Sequence, residues 1–417
     1  MILGRPAGFW MTRFKLVGVF ACAVLSVVRV QGQTTPFSGM SLPTTVRAQG
    51  SGWWPTKGEA SREEYAGEAE CRSCHGSKAA SYGETAMSRA SVHASDLNIL
   101  RQHQRLAFRQ GPLDYSLTTT ADHSTLQVGN QTTSLSEELL WGFGAGRMGQ
   151  TYIYSQENNF FESRLSFFSE IAGLDITPGH SRMAPDTLPG ALGVKQDPPS
   201  EIHRCFACHT TASMNKGEFD PAHALPGLTC EACHGPGAQH VRAMKSGIGS
   251  TADSGANPTA DPTADPTKDP TKDLILNPAR LDPVDQVDFC GACHRTWQDV
   301  VGSGLTGVGV LNVRFAPYRL ENSKCWKQQD ARLTCVACHD PHKPLVRDAG
   351  SYDSRCLQCH VLRRPAKKLA KGAPGACPVA TKDCVTCHMP KYEPANLHSS
   401  FTDHWIRIVR PGQPYPN

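Results

Sequence analysis

The stretch from Cys335 to His388 carries one five-residue pattern three times. It contains Cys335-Val336-Ala337-Cys338-His339, then Cys356-Leu357-Gln358-Cys359-His360, then Cys384-Val385-Thr386-Cys387-His388. Four more copies of Cys-x-x-Cys-His lie earlier in the chain. They are Cys71, Cys74 and His75; Cys205, Cys208 and His209; Cys230, Cys233 and His234; and Cys290, Cys293 and His294. The seven copies take up most of the 17 cysteines, so cysteine spacing decides how the rest of the chain is interpreted.

The spacing of this pattern predicts covalent haem attachment. Two thiols at i and i+3 suit the two vinyl groups of one haem, and the adjacent imidazole suits the iron as proximal ligand. Zinc is one alternative, but zinc takes four ligands per site and gives no reason for a histidine after every second cysteine. A thiol–disulfide redox role is another, but nothing in the chain resembles a thioredoxin-like unit. The sequence therefore predicts seven covalently attached c-type haems.

The composition bounds the class of protein. The chain has 417 residues, of which 39% are hydrophobic and 19% charged, which excludes collagen, a coiled coil and a polytopic membrane protein. The formal net charge is +4. Haem propionates would make the holoprotein more negative, so the charge of the chain says little about its partners. No nucleic-acid partner is expected.

The N-terminal region predicts export. Basic residues precede an unbroken apolar run at residues 16–28, and small residues follow it, as in a secretory signal peptide over residues 1–32. The run is shorter than a bilayer span, which disfavours an uncleaved anchor. A lipoprotein at Cys22 is a second alternative, disfavoured by the neighbouring Phe20. We expect a periplasmic or extracellular protein after cleavage.

The remaining chain divides by composition and pattern. The predicted parts are a flexible linker at residues 33–69, a first haem segment at 70–110, a β insert at 111–200 and a six-haem core at 201–417, with a disordered proline-containing loop at 250–273. Within the insert, Thr151–Ser155 and Phe160–Phe168 are predicted to form a hairpin. The expected fold is mainly α with much irregular structure, a haem-packed core and a small antiparallel β insert.

Histidines outside the motifs are candidates for the second axial ligand of each iron. Ten of the 17 histidines lie outside the motifs, enough for two imidazoles on every haem. Such ligation favours low-spin iron suited to electron transfer. A surface or hydrogen-bonding role is the alternative for each of them. The candidates are His93, His203, His240, His342, His398 and His404.

Two further cysteines, Cys325 and Cys377, stand outside the motifs. In an exported protein such a pair is most simply a disulfide, with two buried thiols as the alternative.

The motifs resemble those of the multihaem c-type cytochromes of the cytochrome c-554 group, kin to the haem cores of pentahaem nitrite reductase and octahaem hydroxylamine oxidoreductase. The resemblance covers roughly residues 67–412. It rests on Cys230–Gly237 with His240, on Cys338–His342, and on Cys384–Pro390 followed by His398 and His404. It implies haems packed in parallel and perpendicular pairs that form a path for electrons, and a periplasmic or outer-surface location.

Two departures separate the chain from the enzymes of that group. Ammonia-forming nitrite reductases commonly carry lysine in place of one motif histidine, whereas all seven motifs here end in histidine. The chain also has one haem motif fewer than the octahaem enzymes and no recognisable signature of their modified haem. Neither activity is carried over, and no catalytic residue is assigned.

Three functions stay open at this point. The main hypothesis is an exported heptahaem electron carrier that is not an enzyme and works between a redox-protein donor and a redox-protein acceptor. The second is a reductase or oxidase of small nitrogen or sulfur compounds with one open haem, for which the isolated first motif is the best candidate. The third is a subunit of a larger electron conduit, either an oligomer or a membrane-associated redox complex.

Overall fold

The computed structural model describes most of the chain after the expected linker. It covers residues 60–197, 199–246, 274–302, 304–328, 330–360, 377, 380–410, 412, 413, 415 and 416. All of these belong to one unit that spans Gly39–Asn417. The predicted signal peptide, residues 33–59 of the predicted linker and the loop predicted at 250–273 lie outside the described residues.

The helices are short, and most of them carry or adjoin a cysteine motif. In chain order they are α1 (Glu68–Cys74), α2 (Gly76–Tyr82), α3 (Asn98–Gln102), α4 (Leu188–Leu192), α5 (Ser200–His209), α6 (Cys230–His234), α7 (Ala238–Lys245), α8 (Pro283–His294), α9 (Trp297–Gly302), α10 (Ala316–Glu321), α11 (Cys335–Cys338), α12 (Asp353–Leu357) and α13 (Cys384–His388). 3₁₀ turns lie at Arg62–Glu64, Ala94–Asp96, Pro221–His223, Pro278–Arg280, Leu305–Arg314, Ala331–Leu333 and Ala349–Tyr352. None of the described helices has the length and hydropathy that a bilayer span requires.

The strands build two larger sheets and three two-stranded ones. They are β1 (Ser91–His93), β2 (Arg105–Gln110), β3 (Leu113–Thr119), β4 (Ser124–Gly129), β5 (Ser134–Glu138), β6 (Trp141–Phe143), β7 (Gly149–Gln156), β8 (Asn159–Phe168), β9 (Gly173–Ile176), β10 (Gly193–Lys195), β11 (Thr210–Thr211), β12 (Met214–Asn215), β13 (Glu218–Phe219), β14 (Leu225–Pro226), β15 (Lys391–Tyr392) and β16 (Phe401–Thr402). One sheet has the order β1-β6-β7-β8-β10, with β9 also paired to β8, and the other has the order β2-β3-β4-β5. The pairs β11-β14, β12-β13 and β15-β16 form the small sheets.

The predicted hairpin is present as β7 and β8. The two strands pair antiparallel from Gln156 and Asn159 back to Gly149 and Phe168. The two-residue loop between them is Glu157-Asn158, with φ of 48° and 64°. Positive φ at both loop positions matches the twist of the flanking strands, and asparagine tolerates it well.

The two larger sheets share one apolar core. Along β3 the residues alternate, with Leu113, Tyr115 and Leu117 buried and the positions between them more exposed. In β8 every residue from Ser163 to Phe168 is buried, so both faces of that half of the strand are covered. Leu165 and Phe167 from β8 join the β3 side chains in this core. The β structure is therefore a packed layer of its own.

The expected mainly α fold with a small β insert is wrong. Among the residues that the structure describes, 37% are helical and 22% lie in strands, and the antiparallel β region is sizeable. The physical reason is that the motif helices have only 4 to 12 residues, whereas alternating burial already begins in β2, before the expected insert. The β region contacts the haem motifs through an aromatic cluster, in which Trp141 and Phe143 pack on Phe206 of α5.

Candidate haem-binding sites

Each cysteine motif lies at a helix, which orients its two thiols alike. We number the motifs 1 to 7 in chain order. In a helix, residues three apart lie on the same face, so the two cysteines of one motif point in the same direction. The helices α5, α6, α8 and α13 end at the motif histidine itself, and α1 and α11 end one residue before it. Six of the seven motifs thus present two thiols and an imidazole at the end of a short rigid element, whereas in motif 6 only Cys356 of the two cysteines lies in α12.

The structure brings the helices of different motifs into contact in four places, and at each place a cysteine of one motif influences the pKa of a cysteine of the other. The four cysteine pairs are Cys71 with Cys230, Cys208 with Cys293, Cys290 with Cys335, and Cys356 with Cys384. In the first of them, the neighbouring Cys230 thiol raises the pKa of the Cys71 thiol. These contacts join motif 1 to motif 3, motif 2 to motif 4, motif 4 to motif 5, and motif 6 to motif 7.

Electrostatic contacts link the remaining motifs. Burial raises the pKa of Cys233 to about 12, and the nearby Cys290 adds to this, so motif 3 adjoins motif 4. Burial also raises the pKa of Cys338, and Cys356 contributes to it, so motif 5 adjoins motif 6. In space the motifs therefore follow the order 1, 3, 4, 5, 6, 7, with motif 2 branching from motif 4.

Several imidazoles donate a hydrogen bond from Nδ1 to a backbone oxygen, which leaves Nε2 available to bind a metal. A backbone carbonyl can only accept a hydrogen bond, so an imidazole Nδ1 beside it must be the protonated nitrogen and Nε2 must carry the lone pair. The contacts of this kind run from His209 to Ala90 O (3.0 Å), His234 to Leu276 O (2.7 Å), His388 to Arg407 O (2.9 Å) and His404 to Thr402 O (3.1 Å). Orientation by the second ring nitrogen is the arrangement found around metal-bound histidines.

Two of the predicted axial histidines face motif histidines across a gap that fits an iron atom. The ring centres of His234 and His342 are 6.0 Å apart, with planes 11° from parallel. The ring centres of His339 and His404 are 6.3 Å apart. A metal–imidazole bond is about 2 Å long and the ring centre lies about 1 Å beyond, so two imidazoles on opposite faces of one iron have centres about 6 Å apart. These pairs fit bis-histidine haems at motifs 3 and 5.

Burial keeps these imidazoles in the form that binds iron. It lowers the pKa of His234, His339 and His342. For His404 burial lowers the pKa to about 4. The neutral imidazole is the metal ligand, so all four present the required protonation state near neutral pH.

The other predicted axial histidines have different neighbours. The ring centre of His93, at the end of β1, lies 3.9 Å from that of Trp141. The ring centre of His203 lies 4.3 Å from that of Phe219. His240 is within α7. The fourth, His398, donates from Nε2 to the carboxylate of Asp175 at 2.8 Å. That nitrogen is therefore hydrogen-bonded to a residue of β9.

The spare cysteines do not form the expected disulfide. Cys325 and Cys377 both remain thiols, and Cys377 Sγ accepts a hydrogen bond from the backbone of Ala380 at 3.5 Å. Burial raises the pKa of Cys325, with smaller contributions from Cys356 and Cys359. The expected disulfide was wrong because sequence spacing does not report the distance between two thiols.

Two groups of residues at the sites were missed by sequence reasoning. Glu231, between the cysteines of motif 3, accepts hydrogen bonds from the backbone before motif 1. Arg319 and Asp403 form a fully buried ion pair beside His404. Glutamate inside a motif was a visible signal, but nothing in the sequence connects Arg319 to Asp403.

Comparison with known proteins agrees with the chemistry of the sites. Residues 190–235, which include motifs 2 and 3, match the family model described as cytochrome c554 and c-prime. The chain is also 25% identical over 211 residues to the multiheme cytochrome MtrA of Shewanella baltica (strain OS185), a match that covers 45% of this chain and 62% of MtrA. The chain is a multihaem c-type cytochrome. Membership of this class implies covalently bound c-type haems.

The match to MtrA spans about three fifths of that relative's length. Among solved structures, the cytochrome is similar to the outer cell wall cytochrome OcwA, with a TM-score of 0.43 and 14% identity, over 83% of this chain and 80% of OcwA.

Proposed function

We propose that this cytochrome is an exported heptahaem electron-transfer protein. Seven haems, one at each motif, pass electrons between a redox-protein donor and a redox-protein acceptor. The observation that carries the proposal is the continuous series of neighbouring motifs, because haems attached to neighbouring motifs would lie close together. Export is supported by the predicted signal peptide, and it gives the protein a periplasmic or extracellular location.

The exposure of the motif cysteines indicates which motifs form the two ends of the path. The thiols Cys74, Cys359 and Cys387 are exposed. They belong to motifs 1, 6 and 7, which stand at the two ends of the spatial order. Motif 4, in contrast, contacts motifs 2, 3 and 5. We assign donor and acceptor contacts to the two exposed ends and internal transfer to the middle.

Two of the proposed haems have both axial ligands assigned. The haem of motif 3 takes His234 and His342, and the haem of motif 5 takes His339 and His404. In both cases the second ligand comes from a segment that follows a later motif. A haem with two imidazole ligands is low-spin and has no open position for a substrate, which suits transfer between haems.

The first test is a haem count combined with spin quantification. Intact mass and haem absorbance of the purified holoprotein should give seven haems per chain. EPR of the oxidised protein should show every haem low-spin. A count below seven contradicts the heptahaem assignment, and a high-spin haem that responds to nitrite or hydroxylamine favours an enzyme.

The second test addresses the assigned ligands. His342→Ala should convert about one haem per chain from low-spin to high-spin, because it removes one of two axial imidazoles. The matched control is His123→Ala, at an exposed histidine whose Nδ1 lies 3.2 Å from the Thr120 hydroxyl. An unchanged spectrum for His342→Ala would exclude this histidine as a ligand.

A further inference from the structure

The segment that carries His404 is held by a buried ion pair. Arg319, on α10, donates from Nε and Nη2 to the two carboxylate oxygens of Asp403, each at 2.9 Å. Both side chains are fully buried. Burial by itself would raise the pKa of Asp403, but the hydrogen bonds and charge of Arg319 outweigh it, and the pKa lies below its ordinary value. Asp403 is therefore a buried carboxylate with a matched cation.

The same guanidinium also holds the residue on the other side of His404. Its centre lies 4.9 Å from the Trp405 ring and 4.6 Å from the Tyr415 ring, and its Nη1 donates to the backbone oxygen of Pro416 at 3.1 Å. His404 thus stands between two residues that contact one arginine. The planar, forked geometry of arginine makes such contacts direction-specific.

Hydrogen bonds also connect Asp403 to a second haem motif, through Arg407. Arg407 donates from Nη1 to Asp403 at 2.6 Å, and its backbone oxygen accepts the hydrogen bond from His388 Nδ1 at 2.9 Å. Its backbone nitrogen donates to His388 O at 3.1 Å. One carboxylate therefore ties together the axial histidine of motif 5 and the motif histidine of motif 7.

We propose that Arg319 and Asp403 are positioning residues that set His404 over the haem of motif 5 and, through Arg407, orient the proximal histidine of motif 7. The inference rests on the proposed function, since it requires His404 to be an axial ligand. Neither residue touches iron. Their role is to fix the backbone on both sides of the ligand so that its imidazole stays at coordination distance.

The test compares removal of the ligand with removal of its support. His404→Ala removes the imidazole itself and should give about one high-spin haem per chain in the EPR spectrum of the oxidised protein. Two variants leave His404 in place. Arg319→Lys keeps the positive charge but loses the planar two-nitrogen contact. Arg319→Met combined with Asp403→Asn removes both charges of the buried pair, and Arg407 then keeps its hydrogen bonds to Trp405 O and the Tyr392 hydroxyl.

Both support variants should also raise the high-spin signal, up to about one haem per chain, and added imidazole should reverse it by filling the vacated position. The signal of the motif 7 haem should shift as well while that haem stays low-spin. The matched control is Arg332→Gln. Its ion pair with Asp330 has a 2.7 Å contact but is half exposed, and it lies just before motif 5. This control should leave every haem low-spin.

The outcomes separate the two proposals. If His404→Ala gives a high-spin haem and a folded support variant does not, the positioning role is overturned while the ligand assignment stands. If His404→Ala leaves all haems low-spin, the ligand assignment itself fails. Circular dichroism establishes which variants fold, and Arg319→Lys keeps the test decisive if the doubly substituted chain does not.

Discussion

Glu231 provides a sharp test of how motifs 1 and 3 are held together. Its side chain lies within motif 3 and the residue is 2% exposed. Oε1 accepts hydrogen bonds from Ala66 N at 2.7 Å and Gly237 N at 2.8 Å, and Oε2 accepts one from Gly67 N at 2.9 Å. One carboxylate thus fixes the chain just before α1 and just before α7. The perturbation is Glu231→Gln.

The expected loss can be worked out from these three bonds. The amide can keep two acceptor contacts on its oxygen, but its NH₂ group then faces the third backbone N–H and that bond is lost. A hydrogen bond to a charged group contributes about 1.5–3 kcal/mol and a neutral one about 1 kcal/mol. Taken near the lower end of these values, one lost bond and two weakened ones together give a loss of about 3 kcal/mol. Opening of this segment should become about 100-fold more frequent.

Hydrogen exchange followed by mass spectrometry measures this opening directly. Peptides that contain Ala66 and Gly67 should exchange about 100-fold faster in the oxidised Glu231→Gln holoprotein. The control is Glu201→Gln, which removes a partly exposed helical contact with Arg204 at 3.5 Å and should change stability by less than about 0.5 kcal/mol. Exchange at Ala66 and Gly67 that stays at the unsubstituted rate would refute the reasoning.

Three further substitutions test the β region and its connection to the haem motifs. Burial opposes ionisation of Asp175, but hydrogen bonds, foremost from His398, hold its pKa below the ordinary value. The contribution of Asp175 to the stability of the fold should therefore be complete above about pH 4 and decline as pH falls through the native pKa. Urea unfolding of Asp175→Asn, measured against pH, should lack that decline. Gly227 has φ of +69°, and an added Cβ would clash with Ser88 O, so Gly227→Ala should lower stability in thermal unfolding by at least about 2 kcal/mol. Leu117 is fully buried, and Leu117→Ala should cost about 3 kcal/mol in urea unfolding with an unchanged haem absorbance spectrum.

Matched controls accompany these substitutions. Asp114→Asn removes an exposed contact with Arg109 at 3.4 Å and should keep the acid-dependent decline. Gly179→Ala has φ of +101° but open space around its Cβ, so it isolates the backbone cost from the clash. Leu345→Ala, at a 60% exposed side chain, should be close to neutral. Equal effects in a substitution and its control would contradict the structural reason given for that substitution.

The sequence predicted the local features and missed the long-range ones. The motif spacing and the β7–β8 hairpin depend on residues close in the chain, so pattern alone indicates them. The extent of the β region depends on pairing between segments such as β1 and β6, which local alternation does not specify. The expectation of a mainly α fold was wrong because the motif helices have only 4 to 12 residues.

The neighbours of the predicted axial histidines were also beyond sequence reasoning. His342 directly follows motif 5, yet its ring faces His234 of motif 3. The two positions meet because α6 and α11 both pack near α8, where Cys233 and Cys335 both approach Cys290. A histidine's place in the chain therefore did not predict which motif it faces. His398 shows the opposite case, since its position after motif 7 suggested a ligand and the structure places it on Asp175.

The contact between Cys71 and Cys230 has a consequence for how the protein matures. The two larger sheets lie between these cysteines in the chain, so motif 1 can reach its spatial neighbour only after that region and motif 3 have been synthesised. Contacts between distant segments form late because closing a long loop costs entropy. In the proposed exported cytochrome, a haem attached to motif 1 during secretion would lie on a short stretch that still lacks its final surroundings, and formation of the β layer would then bring that haem against the third.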